Sequence, residues 1–173
     1  MKILAVQNRM GIGDTVIFLP FIKALSKKFN SPISILVKES SKAHQYLHQT
    51  NYIDKIIILE RDNKTNNRHS GFLGNFNLIK DIKKHNFDKI IIFNSSIRYY
   101  LISKFCGIPE IYQYPLFQKS KQHIIDTPKK FIKDKLDLIV NDDPEVQIDD
   151  KSILKSIKEF QINKNEINIL LGI

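Results

Sequence analysis

A single cysteine, Cys106, stands among the 173 residues, so no disulfide can form within the chain, and a reducing intracellular compartment is expected. Flanked by Phe105 and Gly107 with no base nearby in sequence, Cys106 reads as a small core residue. Long apolar runs are missing too. The first, Ile3 to Val6, gives way to Gln7, Asn8 and Arg9, far short of a signal-peptide core, and no later stretch approaches the ~20 apolar residues of a membrane span. A cytoplasmic protein is expected, resting at most on a membrane surface. Zinc-ligand spacing, an arginine-rich tail and an aromatic ribonucleoprotein signature are all lacking, so neither a metal nor nucleic acid is an expected partner.

What is present is an ordinary globular composition, 42% hydrophobic and 26% charged, long enough for one good core. Acidic residues are the scarcer sign: 27 Lys and Arg against 18 Asp and Glu give a net charge of +9. That excess invites an anionic partner. The chain is also crowded with Ile, Asn and Lys, so part of the excess belongs to solvated faces and position has to decide.

Five short apolar runs alternate with polar turns and helical patterns: Lys2 to Val6, Ile33 to Val37, Lys55 to Leu59, Lys89 to Phe93 and, more weakly, Ile111 to Tyr114. Runs such as Lys-Ile-Ile-Ile-Leu do not alternate in polarity. Both faces are therefore covered, the mark of a parallel sheet between helix layers, and the fold class is α/β. Between the first two strands, Val16, Ile17, Phe21, Ala24, Leu25 and Phe29 form a helical stripe with Lys23, Lys27 and Lys28 outside. Pro20 lies inside it, so the helix starts either at Pro20 or near Asp14 with a kink. Further helices are predicted over Ser41 to His48, Phe72 to His85, Ile97 to Phe105, and Pro128 to about Val140 with Thr127 as N-cap.

After Asn141 the pattern changes. Asp142, Asp143 and Pro144 break the chain, Glu145 to Ile148 is extended, and Asp149 or Asp150 caps a helix carrying Ile153, Leu154, Ile157 and Phe160. Ile167 to Leu171 then reads as a sixth strand meeting Gly172. The expected division is a domain over 1–141, a linker and helix over 142–165, and the first strand of a second domain over 166–173.

In a parallel sheet, ligands bind where loops leave the carboxyl ends of the strands. Those loops hold Arg9, Lys38, Lys42, Arg61, Lys64, Arg68 and Arg98, with Asp14, Glu39, Glu60 and Asp62 as local counter-charges. Charges collect in loops anyway, but this convergence suits a multiply anionic ligand. Gly11-Ile12-Gly13 after the first strand allows a tight turn close to a ligand; Val16 replaces the third glycine of a dinucleotide fingerprint, so nicotinamide binding is not expected. Asp14 at the helix start is either a cap or a functional carboxylate at the crevice mouth. Asn94, Ser95 and Ser96 offer the next N-cap, and nothing in their spacing makes Ser95 or Ser96 a nucleophile.

Met1-Lys2-Ile3-Leu4, Gly13-Asp14, Leu19-Pro20, Ala24-Leu25, Ile33 to Val37, Asn51 to Ile56, Phe87 to Ile90, Asn94-Ser95-Ser96 with Arg98, Gly107-Ile108-Pro109, His123 before the Pro128 helix, and Pro144 to Ile148 form an ordered set. In order and spacing that set resembles the family 9 glycosyltransferases, the ADP-heptose:lipopolysaccharide heptosyltransferases, over essentially the whole chain. The resemblance implies a Rossmann-like domain forming the amino-terminal half of a GT-B architecture, with a helix running through Pro20. It implies that Asp14 is the general base for inverting transfer, and that Arg9, Gly11, Gly13, Lys38, Arg61, Lys64, Asn94, Ser95, Ser96, Arg98 and His123 line an acceptor site. The implied acceptor is an anionic glycolipid like a lipopolysaccharide core, met at the inner face of the inner membrane. The implied donor is a nucleotide sugar like ADP-heptose, held by a carboxyl-terminal domain beyond Gly172, so this half binds no cofactor and as a fragment is expected to be inactive. The turn from Arg9 to Ile12 lacks the serine pair common among lipopolysaccharide heptosyltransferases. A non-catalytic module that binds an anion or glycolipid is the other reading.

Overall fold

The computed structural model describes residues 1–9, 11–61, 67–116, 124–163 and 165. Lys64, His123 and the expected strand over Ile167 to Leu171 lie outside the described residues. Among the described residues five strands, β1 (Ile3–Val6), β2 (Ile33–Lys38), β3 (Ile53–Leu59), β4 (Lys89–Ile92) and β5 (Glu110–Gln113), pair in parallel in the order β3-β2-β1-β4-β5. Six α-helices among the described residues accompany them: α1 (Ile12–Phe29), α2 (Ala43–Tyr46), α3 (Gly71–Lys83), α4 (Ile97–Phe105), α5 (Asp126–Leu136) and α6 (Asp150–Glu159).

The non-alternating strands do bury both faces. From β1, Ile3 and Ala5 enter one core with Phe18, Leu25 and the α5 residues Phe131 and Ile132, while Leu4 and Val6 enter the other with Leu78 and Ile82 of α3 and Tyr99 and Ile102 of α4. A two-residue side-chain period across a sheet covered on both sides requires this split. Phe93 touches Phe18, Phe21, Tyr114 and Phe131 at centroid distances of 5.2, 6.2, 6.0 and 5.8 Å, tying β4 to α1 and α5. Such aromatic pairs add about 0.5–1.5 kcal/mol each beyond burial. At the sheet edge, β3 is covered less fully than β1 and β4: Asp54 and Lys55 are exposed.

Helix boundaries depart from expectation where the backbone turns left-handed. Lys42 (φ 49°) splits the expected Ser41 to His48 helix into a 3-10 turn over Glu39–Ser41 and the short α2. Asp137 (φ 47°) ends α5 at Leu136, before Val140. That helix begins at Asp126 with Ile125 at the N-cap, so Thr127 is its second residue and not its cap. Helix α1 runs through Pro20 from Ile12, so of the two starts open from periodicity the earlier one holds. Asp149 caps α6 by accepting from Ser152 N at 2.7 Å.

The segment after α5 is docked, not a free tether. Val140 is buried in the α1-side core. Asp142 pairs with Lys23 and Lys27, and Glu145 with Lys23, at 3.6–3.8 Å. Asn51 N donates to Gln147 Oε1 at 2.9 Å. The lysines that periodicity puts simply outside α1 are thus partly engaged by this segment. Helix α6, by contrast, buries none of its residues.

Candidate functional site

The strand order places β1 beside β4, with their successors diverging to opposite sides, so the loops after these two strands flank the topological switch point. Asn94 bridges them: its Nδ2 donates to Asn8 Oδ1 at 2.8 Å, and its Oδ1 accepts from Ser96 N at 2.7 Å. Ser96 caps α4 by accepting from Arg98 N at 3.3 Å. From β5, Gln113 Nε2 donates to the carbonyls of Asn94 and Ser96 at 2.9 and 2.8 Å, which fixes the loop from the other side. Ser95 is half-buried in the same loop.

The turn after β1 is shaped by glycine. Gly11 holds φ 97° and ψ 162°, a conformation essentially confined to glycine, and is the N-cap residue of α1 without any side-chain cap bond. Asp14 therefore is not the cap that it could have been from sequence. It is the third residue of the helix, half-buried, and among the described residues no hydrogen bond or ion pair engages its carboxylate. The amino end of a helix favours such an anion by roughly 0.3–1 kcal/mol. A Cβ at Gly13 would meet nothing within 4 Å, so no packing demands glycine there.

Beneath the turn lies Gln7, 3% exposed. Its Nε2 donates to the Asp14 carbonyl at 3.3 Å, and its Oε1 has no partner among the described residues. Sequence reasoning passed over Gln7; the sole signal was a polar residue directly after the apolar run of β1. Tyr99 was missed as well. Its hydroxyl is held above the ordinary range by burial, partly offset by the nearby Arg98 charge and by Asn8 and Arg61 beside it. Burial likewise raises Tyr114, against the charge of Arg9. Arg9 and Arg61, both exposed, thus lie near buried tyrosines that belong to the two different cores.

The other cations of the expected rim divide. Lys38 ends β2 and Lys42 sits in the left-handed position just beyond it. Arg98 Nε donates to Asn75 Oδ1 and Arg98 Nη2 to the His69 carbonyl, both at 2.6 Å, so its guanidinium ties α4 to α3 and to the loop before α3. Arg68 is taken up by Asp81, at 2.9 Å from each carboxylate oxygen.

That loop has its own lock, unseen in the sequence. Glu60 N donates to His69 Nδ1 at 3.0 Å and His69 N donates to the Glu60 carbonyl at 2.9 Å. Because Nδ1 accepts, Nε2 carries the proton and donates to Asp81 Oδ2 at 3.0 Å. Burial disfavours the charge on Asp81, but the hydrogen bonds from His69 and Arg68 outweigh it and hold its carboxyl below the ordinary value. Burial pushes the Cys106 thiol up to about 11, and its Sγ lies 3.5 Å from the Ile79 carbonyl, as suits the small core residue expected. Among the described residues no group of three His, Cys, Asp or Glu side chains could hold a metal ion, and no helix is long and apolar enough to cross a membrane.

The arrangement is a Rossmann-like α/β domain whose switch-point crevice presents a carboxylate, a glycine turn and several cations. Solved structures share this fold. A family 9 glycosyltransferase from Veillonella parvula superposes with a TM-score of 0.69 at 17% identity, covering 99% of this chain and 54% of that one. ADP-heptose lipopolysaccharide heptosyltransferase II of E. coli gives 0.65 at 14% identity, covering 95% of this chain and 52% of that one. E. coli heptosyltransferase WaaC, solved with ADP-2-deoxy-2-fluoro heptose, gives 0.52 at 13% identity, covering 85% and 51%. The chain spans about half the length of these structures, and its fold is that of one Rossmann-like half of a GT-B glycosyltransferase. No protein-family model and no curated protein sequence matches it.

Proposed function

We propose that this chain is the acceptor-side half of an inverting glycosyltransferase of the family 9 type, and that Asp14 is its general base. The observation that carries the reading is the unengaged Asp14 carboxylate in the first turn of α1, directly after a glycine-only turn and at the switch point of the sheet. A base must come within hydrogen-bond reach of the hydroxyl it deprotonates, and a carboxylate already committed to a cap or an ion pair serves this poorly. Asp14 takes the acceptor proton, the freed oxygen attacks the anomeric carbon from the face opposite the leaving group, and the nucleoside diphosphate departs with the bonding pair.

In this reading Arg9, Lys38 and Arg61 attract the anionic groups of a glycolipid acceptor like a lipopolysaccharide core, Asn94, Ser95 and Ser96 bond its hydroxyls, and Lys64 and His123 are further acceptor contacts. The closeness of Gly11 and Gly13 lets the acceptor approach the backbone. Arg98 acts by bracing α4 against the loop before α3. The acceptor domain is residues 1–141, residues 142–165 connect it, and residues 166–173 begin the donor domain. A nucleotide sugar resembling ADP-heptose is the donor, bound by the half that the solved structures carry in the rest of their length, and the reaction belongs at the cytoplasmic face of the inner membrane. Leaving-group stabilisation and donor positioning supply most of such a rate enhancement. The 173-residue chain alone is therefore inactive.

The test uses a two-domain version of the protein, assayed for released nucleoside diphosphate. Asp14→Asn lowers turnover about 10²–10⁴-fold, with little change in stability because no cap bond or ion pair is lost. Undiminished turnover in the variant removes Asp14 from the chemistry, and a parent without turnover leaves the second reading, a module that binds an anionic glycolipid without catalysis.

A further inference from the structure

Helices α3 and α4 lie side by side on one face of the sheet, and a groove of about 600 Å³ opens between their outer surfaces. Phe72, Phe76 and Ile79 line it from α3, and Ile97, Leu101 and Phe105 from α4. Ile79 reaches down to the core, but the phenylalanines do not: Phe72 is 77% exposed, Phe105 68% and Phe76 56%. Phe72 and Phe76 pack edge to face at 5.3 Å, so the patch is preformed. Apolar side chains this large and this contiguous, left facing water, mark a docking surface.

The surrounding charge says what docks. Helices α3 and α4 present Lys80, Lys83 and Lys104, all exposed and none in an ion pair among the described residues. The one acid of the two helices, Asp81, points inward and is taken up by Arg68, His69 and Lys84. Lys83 is near Cys106 at the lower end of the groove, and Lys104 lies over the Tyr100 ring at 5.7 Å. Exposed aromatics on helices that also carry exposed lysines suit an interface that is apolar inside and anionic outside. A second copy of the chain fits poorly, because two such faces would set Lys83 and Lys104 against their equivalents on molecules each carrying +9.

We infer that the α3–α4 face docks on an anionic lipid bilayer, with Phe72, Phe76, Leu101 and Phe105 entering the headgroup layer and Lys80, Lys83 and Lys104 meeting the lipid phosphates. Ile97 directly follows the capping Ser96, so the groove begins at the crevice rim and docking sets that rim beside the lipid surface. The inference rests on this surface and not on the transfer reaction, and vesicles that contain no sugar acceptor test it separately.

The 173-residue chain is sedimented with vesicles of phosphatidylcholine alone and of phosphatidylcholine mixed equally with phosphatidylglycerol. Binding is expected to the mixed vesicles, weakened by salt. The double variants Phe72→Ser with Phe105→Ser and Lys83→Glu with Lys104→Glu each lower the partition coefficient about tenfold or more. Lys28→Glu with Lys158→Glu, on exposed positions elsewhere, leaves it unchanged. Because the chain has no tryptophan, Phe105→Trp supplies a single fluorophore whose emission moves to the blue when anionic vesicles are added. Failure of the chain to sediment, an equal loss in the Lys28/Lys158 pair, unmoved tryptophan emission, or a lipid-free dimer abolished by the phenylalanine variant overturns the inference; the last result assigns the face to a second copy.

Discussion

Gly11 and Gly13 are two residues apart at the start of α1, and a Cβ built on either would meet nothing within 4 Å. Sterics alone therefore make the two alanine substitutions equivalent; the backbone makes them opposite. Gly11 holds φ 97° and ψ 162°, and forcing an L-residue there costs about 1–3 kcal/mol. Gly13 is the second helical residue with ordinary helical dihedrals, where alanine gains up to about 0.5–1 kcal/mol over glycine. The two variants should differ by roughly 1.5–4 kcal/mol. At about 2–4 °C per kcal/mol for a chain of this size, Gly11→Ala unfolds at a lower temperature than the parent and Gly13→Ala at the same or a higher one. Calorimetry and urea titration read both. The same variants separate fold from function, since the Gly13 methyl fills space at the crevice that the proposed acceptor occupies: Gly13→Ala should weaken glycolipid binding while leaving the protein at least as stable. Two destabilised variants, or a stable Gly13→Ala that binds acceptor unchanged, would refute the reasoning.

The Asp81 lock has a pH signature. Its carboxyl is held below the ordinary value, so the stability that it contributes is complete above the unfolded carboxylate range and lost as pH falls through the lower folded value. Asp81→Asn should cost about 1.5–3 kcal/mol at neutral pH and flatten the acid limb of a urea-midpoint profile; an unchanged limb would mean that other carboxylates produce it. Gly74→Ala should be among the most damaging single methyl additions, because its Cβ would fall 2.2 Å from the carbonyl carbon of His69, part of the same lock. Loss of slow amide exchange at His69, whose N–H is bonded to Glu60, would report the damage, and a variant as stable as the parent would contradict the packing.

The strands were legible because their signal is local. Lys-Ile-Ile-Ile-Phe has no polar side to turn toward water, and it forms a strand buried on both faces whichever neighbours it finds. Helix α4 was legible for the same kind of reason, with a serine cap in sequence. Boundaries were missed where a non-glycine residue turned left-handed, at Lys42 and Asp137, since lysine seldom adopts that conformation and aspartate, though enriched in it, does so only in a minority of its occurrences. Asp14 was recognisable as a residue at the crevice with two roles open to it, and the structure bears on the capping role alone, since the cap is Gly11.

Composition, polarity pattern and glycine placement by themselves determined an α/β domain with parallel strands, a tight turn after the first strand, and an aspartate at the start of the helix that follows. These are properties of segments a few residues long, governed by backbone dihedrals and side-chain period. Only the tertiary structure decided that β1 lies between β2 and β4, which joins Asn8 to Asn94 across 86 residues of sequence. It alone directed Arg68 and Arg98 into the scaffold while Arg9 stayed at the rim, locked His69 between Glu60 and Asp81, and left the phenylalanines of α3 and α4 facing outward. Each of these depends on pairing between distant segments, where the same Phe at the same helical spacing is buried or exposed according to what the rest of the chain lays against it.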